Sequence, residues 1–165
     1  MSSPRIVVDD KKSSGGLPGS TALGWTVLWW VGILFSVVSL ADIALAYYPV
    51  QFGTMEWEFG TAASTFAGLP LVALGLGSVM ATALVRGNRR WIIVVSVVLI
   101  VLALETAYML VHFLLDIPVA LKSVASPDMR LGIQKASIKT VGLGVLFSLA
   151  FLIGGVRALT RALRK

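Results

Sequence analysis

The chain has 165 residues, of which 57% are hydrophobic and 13% charged, with a net charge of +6 and no cysteine. Soluble domains carry about 25% charged residues, so this composition cannot supply an aqueous surface, and the lack of cysteine excludes disulfides, thiolate metal sites and cysteine nucleophiles. A basic excess on so apolar a chain points to membrane topology and anionic lipid, not to nucleic acid.

In chain order, residues 1–22 read as a polar cytoplasmic tail without the pattern of a cleavable signal peptide. Four apolar runs follow, at about 23–47, 59–85, 91–117 and 138–156. Each is long enough to cross ~30 Å of hydrocarbon at ~1.5 Å per residue. They are too long and too continuous for strands. The expectation is therefore an all-α, integral membrane four-helix bundle over 23–156, closed by a basic helix end at 157–165.

Pro70 falls inside the second run. It should kink that helix and free a carbonyl near Phe66. Glu56 and Glu58, around Trp57 and just after Thr54, read as acids of a helix first turn. Before the fourth run, Ser126-Pro127-Asp128 combines a capping hydroxyl, a proline suited to the first helical position and an acid near the positive end. A helix begun there and carried to Lys165 would be ~58 Å long. It should extend beyond the membrane as a helical extension before the fourth span, or bend near Gly142 or Gly144.

Orientation follows from lysine and arginine placement. Arg5, Lys11 and Lys12 precede the first run, Arg86, Arg89 and Arg90 lie between the second and third, and Arg157, Arg161, Arg164 and Lys165 follow the fourth. The opposite side has Lys122, Arg130, Lys135 and Lys139. The imbalance places both termini inside (N-in/C-in) in a bacterial inner membrane, cytoplasmic or intracytoplasmic. Arg86, Arg89, Arg90, Arg157, Arg161 and Arg164 are expected at lipid headgroups. Trp25, Trp29, Trp30 and Trp91 mark the inner interface, and Trp57 with Tyr47 and Tyr48 the outer one.

Small residues recur at four-residue spacing, which lets helices approach closely where hydrophobic drive is missing. The packing candidates are Gly32 (with Ser36), the series Ala73, Gly77 and Ala81, and Gly144 and Gly154. Three ionisable groups lie within runs: Asp42, Glu105 and His112. Each needs a reason, because a charge in hydrocarbon costs several kcal/mol. Glu105, Met109, His112 and Asp116 follow i, i+4, i+7 and i+11 and so share one helix face. Asp42 joins them if that face meets the first span. Three readings stand for this polar cluster: an interhelical hydrogen-bonded clasp, a proton relay or quinone contact, and ligation of a pigment magnesium or haem iron by His112. No phosphate loop, zinc motif or nucleophile elbow occurs, so no catalytic residue and no metal site are assigned.

The segments Tyr48-Pro49-Val50-Gln51-Phe52, Glu56-Trp57-Glu58-Phe59-Gly60 and Gly68-Leu69-Pro70-Leu71 resemble the first hairpin of small four-span bacterial proteins of unknown function. Some of those accompany cyanobacterial polysaccharide or exosortase systems. In size and character the whole chain resembles the small accessory subunits of photosynthetic reaction-centre or respiratory complexes. The resemblance implies a non-catalytic structural subunit whose partners are other transmembrane subunits and lipids. It implies no intrinsic cofactor, with a bound lipid, pigment or quinone expected at a partner interface. The alternatives are a small proton- or quinone-handling module using Glu105, His112 and Asp42, or a helper of a polysaccharide system.

Overall fold

The computed structural model describes residues 19–51 and 53–164. The tail expected at 1–22 lies outside the described residues up to residue 18. The described residues form four α-helices: α1 Gly19–Ala46, α2 Met55–Val85, α3 Arg89–Ser123 and α4 Pro127–Leu163. All four are long and apolar enough to cross a membrane. Successive helices run antiparallel, so the Arg86–Arg90 connection and the two ends of the described chain lie at one end of the bundle. That end is called the basic end here, and the other the Tyr47 end.

The helix ends follow local chemistry. α2 stops in a Schellman arrangement: the Asn88 N–H donates to the Ala83 carbonyl at 2.9 Å and the Gly87 N–H to the Leu84 carbonyl at 3.2 Å. Gly87 takes φ +62°, a left-handed conformation that is cheap only without a Cβ. Asn88 then caps α3, its Oδ1 accepting from the Trp91 N–H at 3.5 Å. Ser126 stands at the capping position and the proline in the first turn of α4 as expected, but the Ser126 hydroxyl makes no capping hydrogen bond. Glu56 and Glu58 do stand in the first turn of α2.

One extent differs from the sequence reading. α3 continues through Pro118 to Ser123, so only Val124–Ser126 connects α3 to α4. Arg130 helps close this corner, its Nε–H donating to the Leu121 carbonyl at 3.1 Å near the end of α3. α4 is a single 37-residue helix, the lengthened alternative of the two expected. α2 likewise runs through Pro70 as one helix, with the proline at the exposed surface.

α2 is the hub. It packs against each of the other helices, α3 and α4 form a long antiparallel pair, and α1 packs along α2. Phe66, fully buried, sits at the α2–α3–α4 junction: its ring meets Phe113 edge-on at 6.3 Å and fills the space over Gly144. Because lipid is as apolar as these side chains, packing contacts rather than expulsion from water hold such an interior together. Several interior hydroxyls bond within their own helix, while those of Thr65, Ser137 and Ser148 are buried without a partner among the described residues. Ser36, Thr82, Ser96 and Thr106 each donate to the carbonyl four residues back.

Glycines set the closest approaches. A Cβ on Gly75 would lie 2.5 Å from Ser36 Oγ, 2.7 Å from Ser36 N and 2.9 Å from the Gly32 carbonyl oxygen. The expected Gly32-x3-Ser36 stripe is thus the α1 half of the α1–α2 crossing. Its partner on α2 is Gly75 rather than Gly77, which has open space around it, while Ala73 and Ala81 are half-buried. On α4, Gly144 is buried against Phe66 and Leu110 as expected, but Gly154 faces open space. Gly155 is the close contact instead, with Ser96 O and Ile100 Cγ1 each 2.9 Å from its would-be Cβ. Helix phase explains both corrections. Gly75 lies seven residues from Gly68, which packs on Ile43, and Gly155 lies eleven from Gly144; both spacings return to the same face at 100° per residue.

A polar recess at the Tyr47 end as the candidate functional site

The site lies where the end of α1, the first turns of α2 and the half of α3 nearest the Tyr47 end converge. α1 ends at Ala46, whose carbonyl accepts from Thr61 Oγ1 of α2 at 3.3 Å, so one of its orphan acceptors is satisfied across the hairpin. This places Tyr47 over α3, where its hydroxyl donates to Glu105 Oε1 at 3.0 Å. Thr65 Oγ1, fully buried on α2, neighbours the Tyr47 hydroxyl without reaching hydrogen-bond geometry. Glu105 is half-buried.

Beside this bond is a recess of about 180 Å³ whose walls include Tyr47, Trp57, Glu58, Tyr108, His112 and Asp116, with Thr61, Ala62, Met109 and Phe113 completing the lining. Its aromatic walls are interlocked. Tyr47 and Trp57 meet edge-on at 6.3 Å, Phe59 backs Phe113 at 4.8 Å, and the Tyr108 and His112 rings meet edge-on at 4.5 Å. Glu58 is half-buried, and its Oε1 accepts from the Gly53 N–H at 3.0 Å. Asp116 is half-buried one turn beyond His112, with Glu58 and His112 as its titratable neighbours.

The polar residues singled out in the sequence are therefore divided. His112 and Asp116 line the recess and Glu105 joins it through Tyr47. Asp42 is exposed on α1 and does not line it. The helical periodicity of α3 was enough to align Glu105, His112 and Asp116, but the face of α1 that carries Asp42 turns away from α2. Sequence reasoning treated Tyr47 only as an interface marker and Glu58 only as a first-turn acid. Both become site residues because the α1–α2 connection folds over α3, a long-range event without a local signal. Among the described residues no group of three or more His, Asp or Glu side chains is arranged to hold a metal ion.

The basic end is built differently. Trp29 of α1 meets Trp91 of α3 edge-on at 4.8 Å, and Arg86 donates to Thr26 Oγ1 at 2.6 Å. Trp25 is half-buried and Trp30 is 65% exposed, so the indoles divide between packing and the outward surface. Arg86, Arg89, Arg90, Arg157, Arg161 and Arg164 are all exposed.

No family model, curated protein or solved structure matches this chain.

Proposed function

We propose that this chain is a non-catalytic accessory subunit of a larger bioenergetic complex in a bacterial inner membrane, with both termini cytoplasmic. A photosynthetic reaction-centre–light-harvesting assembly is the first candidate host. The observation that carries the reading is the position of α1. It packs along α2 by the Gly32–Ser36 stripe and turns Trp30, Leu34, Phe35, Val37 and Val38 outward. A helix attached on one side is placed to bridge this bundle to neighbouring transmembrane helices. The inward orientation is supported by the lysine and arginine distribution. The test is purification in mild detergent followed by native mass spectrometry and an absorption spectrum. Recovery with a pigmented or haem-containing assembly is expected, and a free monomer under those conditions refutes the proposal.

A second reading is favoured by the Tyr47–Glu105 hydrogen bond: a phenol and a carboxyl joined within the bundle can exchange protons with a quinone or a relay. Under it Glu105→Gln lowers turnover of the host complex while assembly is retained. Unchanged turnover removes it.

A further inference from the structure

We propose that the recess at the Tyr47 end is a binding site for an organic ammonium group, the charged head of an amphiphile or a free small cation. Three observations converge on this chemistry. First, two carboxylates face one small cavity: Glu58 from α2 and Asp116 from α3. No lysine or arginine lines it, His112 is its one basic side chain, and among the described residues neither acid is in a salt bridge. Glu58 Oε1 is held by the Gly53 N–H, which fixes the carboxylate without cancelling its charge. Second, Tyr47, Trp57, Tyr108 and Phe113 contribute aromatic surface to the same walls. Ring faces carry negative potential and attract cations, most strongly where water is reduced. Third, two acids do not make a metal site: among the described residues no group of three or more His, Asp or Glu side chains could hold an ion, which needs several oxygens at about 2.0–2.6 Å. A diffuse charge spread over methyl or methylene groups instead suits two carboxylates in an aromatic-walled recess.

Size agrees. The recess holds about 180 Å³, and a cavity of about 150 Å³ accommodates benzene, so a trimethylammonium or short alkylammonium group fits but a drug-sized ligand does not. Tyr108 and His112 are exposed at its wall, which leaves a route of entry. The site stands whether or not the chain assembles with other subunits.

The test uses the full chain in a non-ionic detergent. Tetramethylammonium and choline are titrated by calorimetry and saturation-transfer NMR against 3,3-dimethylbutan-1-ol, the uncharged isostere of choline. The cations are expected to bind saturably and the isostere about tenfold or more weakly, the factor that one well-placed charge or cation–π contact supplies. Glu58→Gln and Asp116→Asn should each weaken the cations several-fold and the double variant further, with helicity by circular dichroism unchanged. Glu56→Gln, an exposed acid outside the recess, should have no effect. Equal binding of the isostere, equal binding of a short-chain benzoquinone, no saturable binding, or an unaffected double variant would each overturn the proposal. Repeating the choline titration in nanodiscs identifies the source. Weaker apparent binding in phosphatidylcholine than in phosphatidylglycerol discs, absent in the double variant, assigns a lipid headgroup, and equal binding assigns a soluble cation.

Discussion

Replacing Gly75 with alanine should loosen the α1–α2 hairpin, whereas the same change at Gly77, two residues on, should not. The new Cβ at position 75 would sit 2.7 Å from Ser36 N and 2.9 Å from the Gly32 carbonyl oxygen. Both are backbone atoms, so no rotamer change relieves the clash. Ordinary contact is about 3.5 Å, so α1 must retreat by roughly 0.8 Å along the crossing, and a gap of that size forfeits a quarter to a half of the local dispersion energy. Overpacking of this kind costs about 1–3 kcal/mol. Alanine also gains up to about 1 kcal/mol of helix propensity over glycine, which masks part of the loss. Gly77 provides the correction, because it lies in the same helix with nothing within 4 Å of its would-be Cβ. The difference between the two variants therefore isolates packing, and Gly75→Ala is expected to be the less stable by about 1–3 kcal/mol. Reversible unfolding in mixed detergent–SDS micelles, followed by circular dichroism and tryptophan fluorescence, measures it. Equal stabilities would refute the assignment of Gly75 to the crossing and with it the packing of α1.

The same logic applies to α4. Gly155→Ala should destabilise the α3–α4 pair by about 1–2 kcal/mol because Ser96 O blocks the added carbon, while Gly154→Ala should be neutral or slightly stabilising in the same unfolding assay. Tyr47→Phe removes the donor to Glu105 and should cost about 1 kcal/mol; a double-mutant cycle with Glu105→Leu should show that most of that loss vanishes once the acceptor is gone. Gly87→Ala forces a Cβ into φ +62° and should cost about 1 kcal/mol, read out as a lowered midpoint against Gly60→Ala, whose site has open space.

Four helices long and apolar enough to cross a membrane were legible in the sequence because a long apolar run is a local property: in hydrocarbon a backbone of this length can satisfy its hydrogen bonds only within a helix. The start of α4 at Ser126-Pro127 and the acidic first turn of α2 were equally local. The outer limit of α3 was not. Hydropathy falls off where charged residues enter, near 117, yet the helix continues to Ser123 with Ala120 buried, and Ser137 is buried on α4. Packing of one helix on the other carries the structure past the point where composition alone would end it.

Spacing on one helix determined that Glu105, His112 and Asp116 share a face, since rotation per residue is fixed. What that face meets was decided only when the chain closed. Tyr47 and Glu58 reach the recess from two other helix ends, and Asp42 does not, because the rotation of α1 about its axis is set by the Gly32–Gly75 contact. Hydropathy left no record of which side of α1 faces its neighbour; only the Gly32–Ser36 spacing marked that side, without naming Gly75 as its partner. The fit of a bare glycine backbone against a second helix chooses that side, and with it the groups that line the recess.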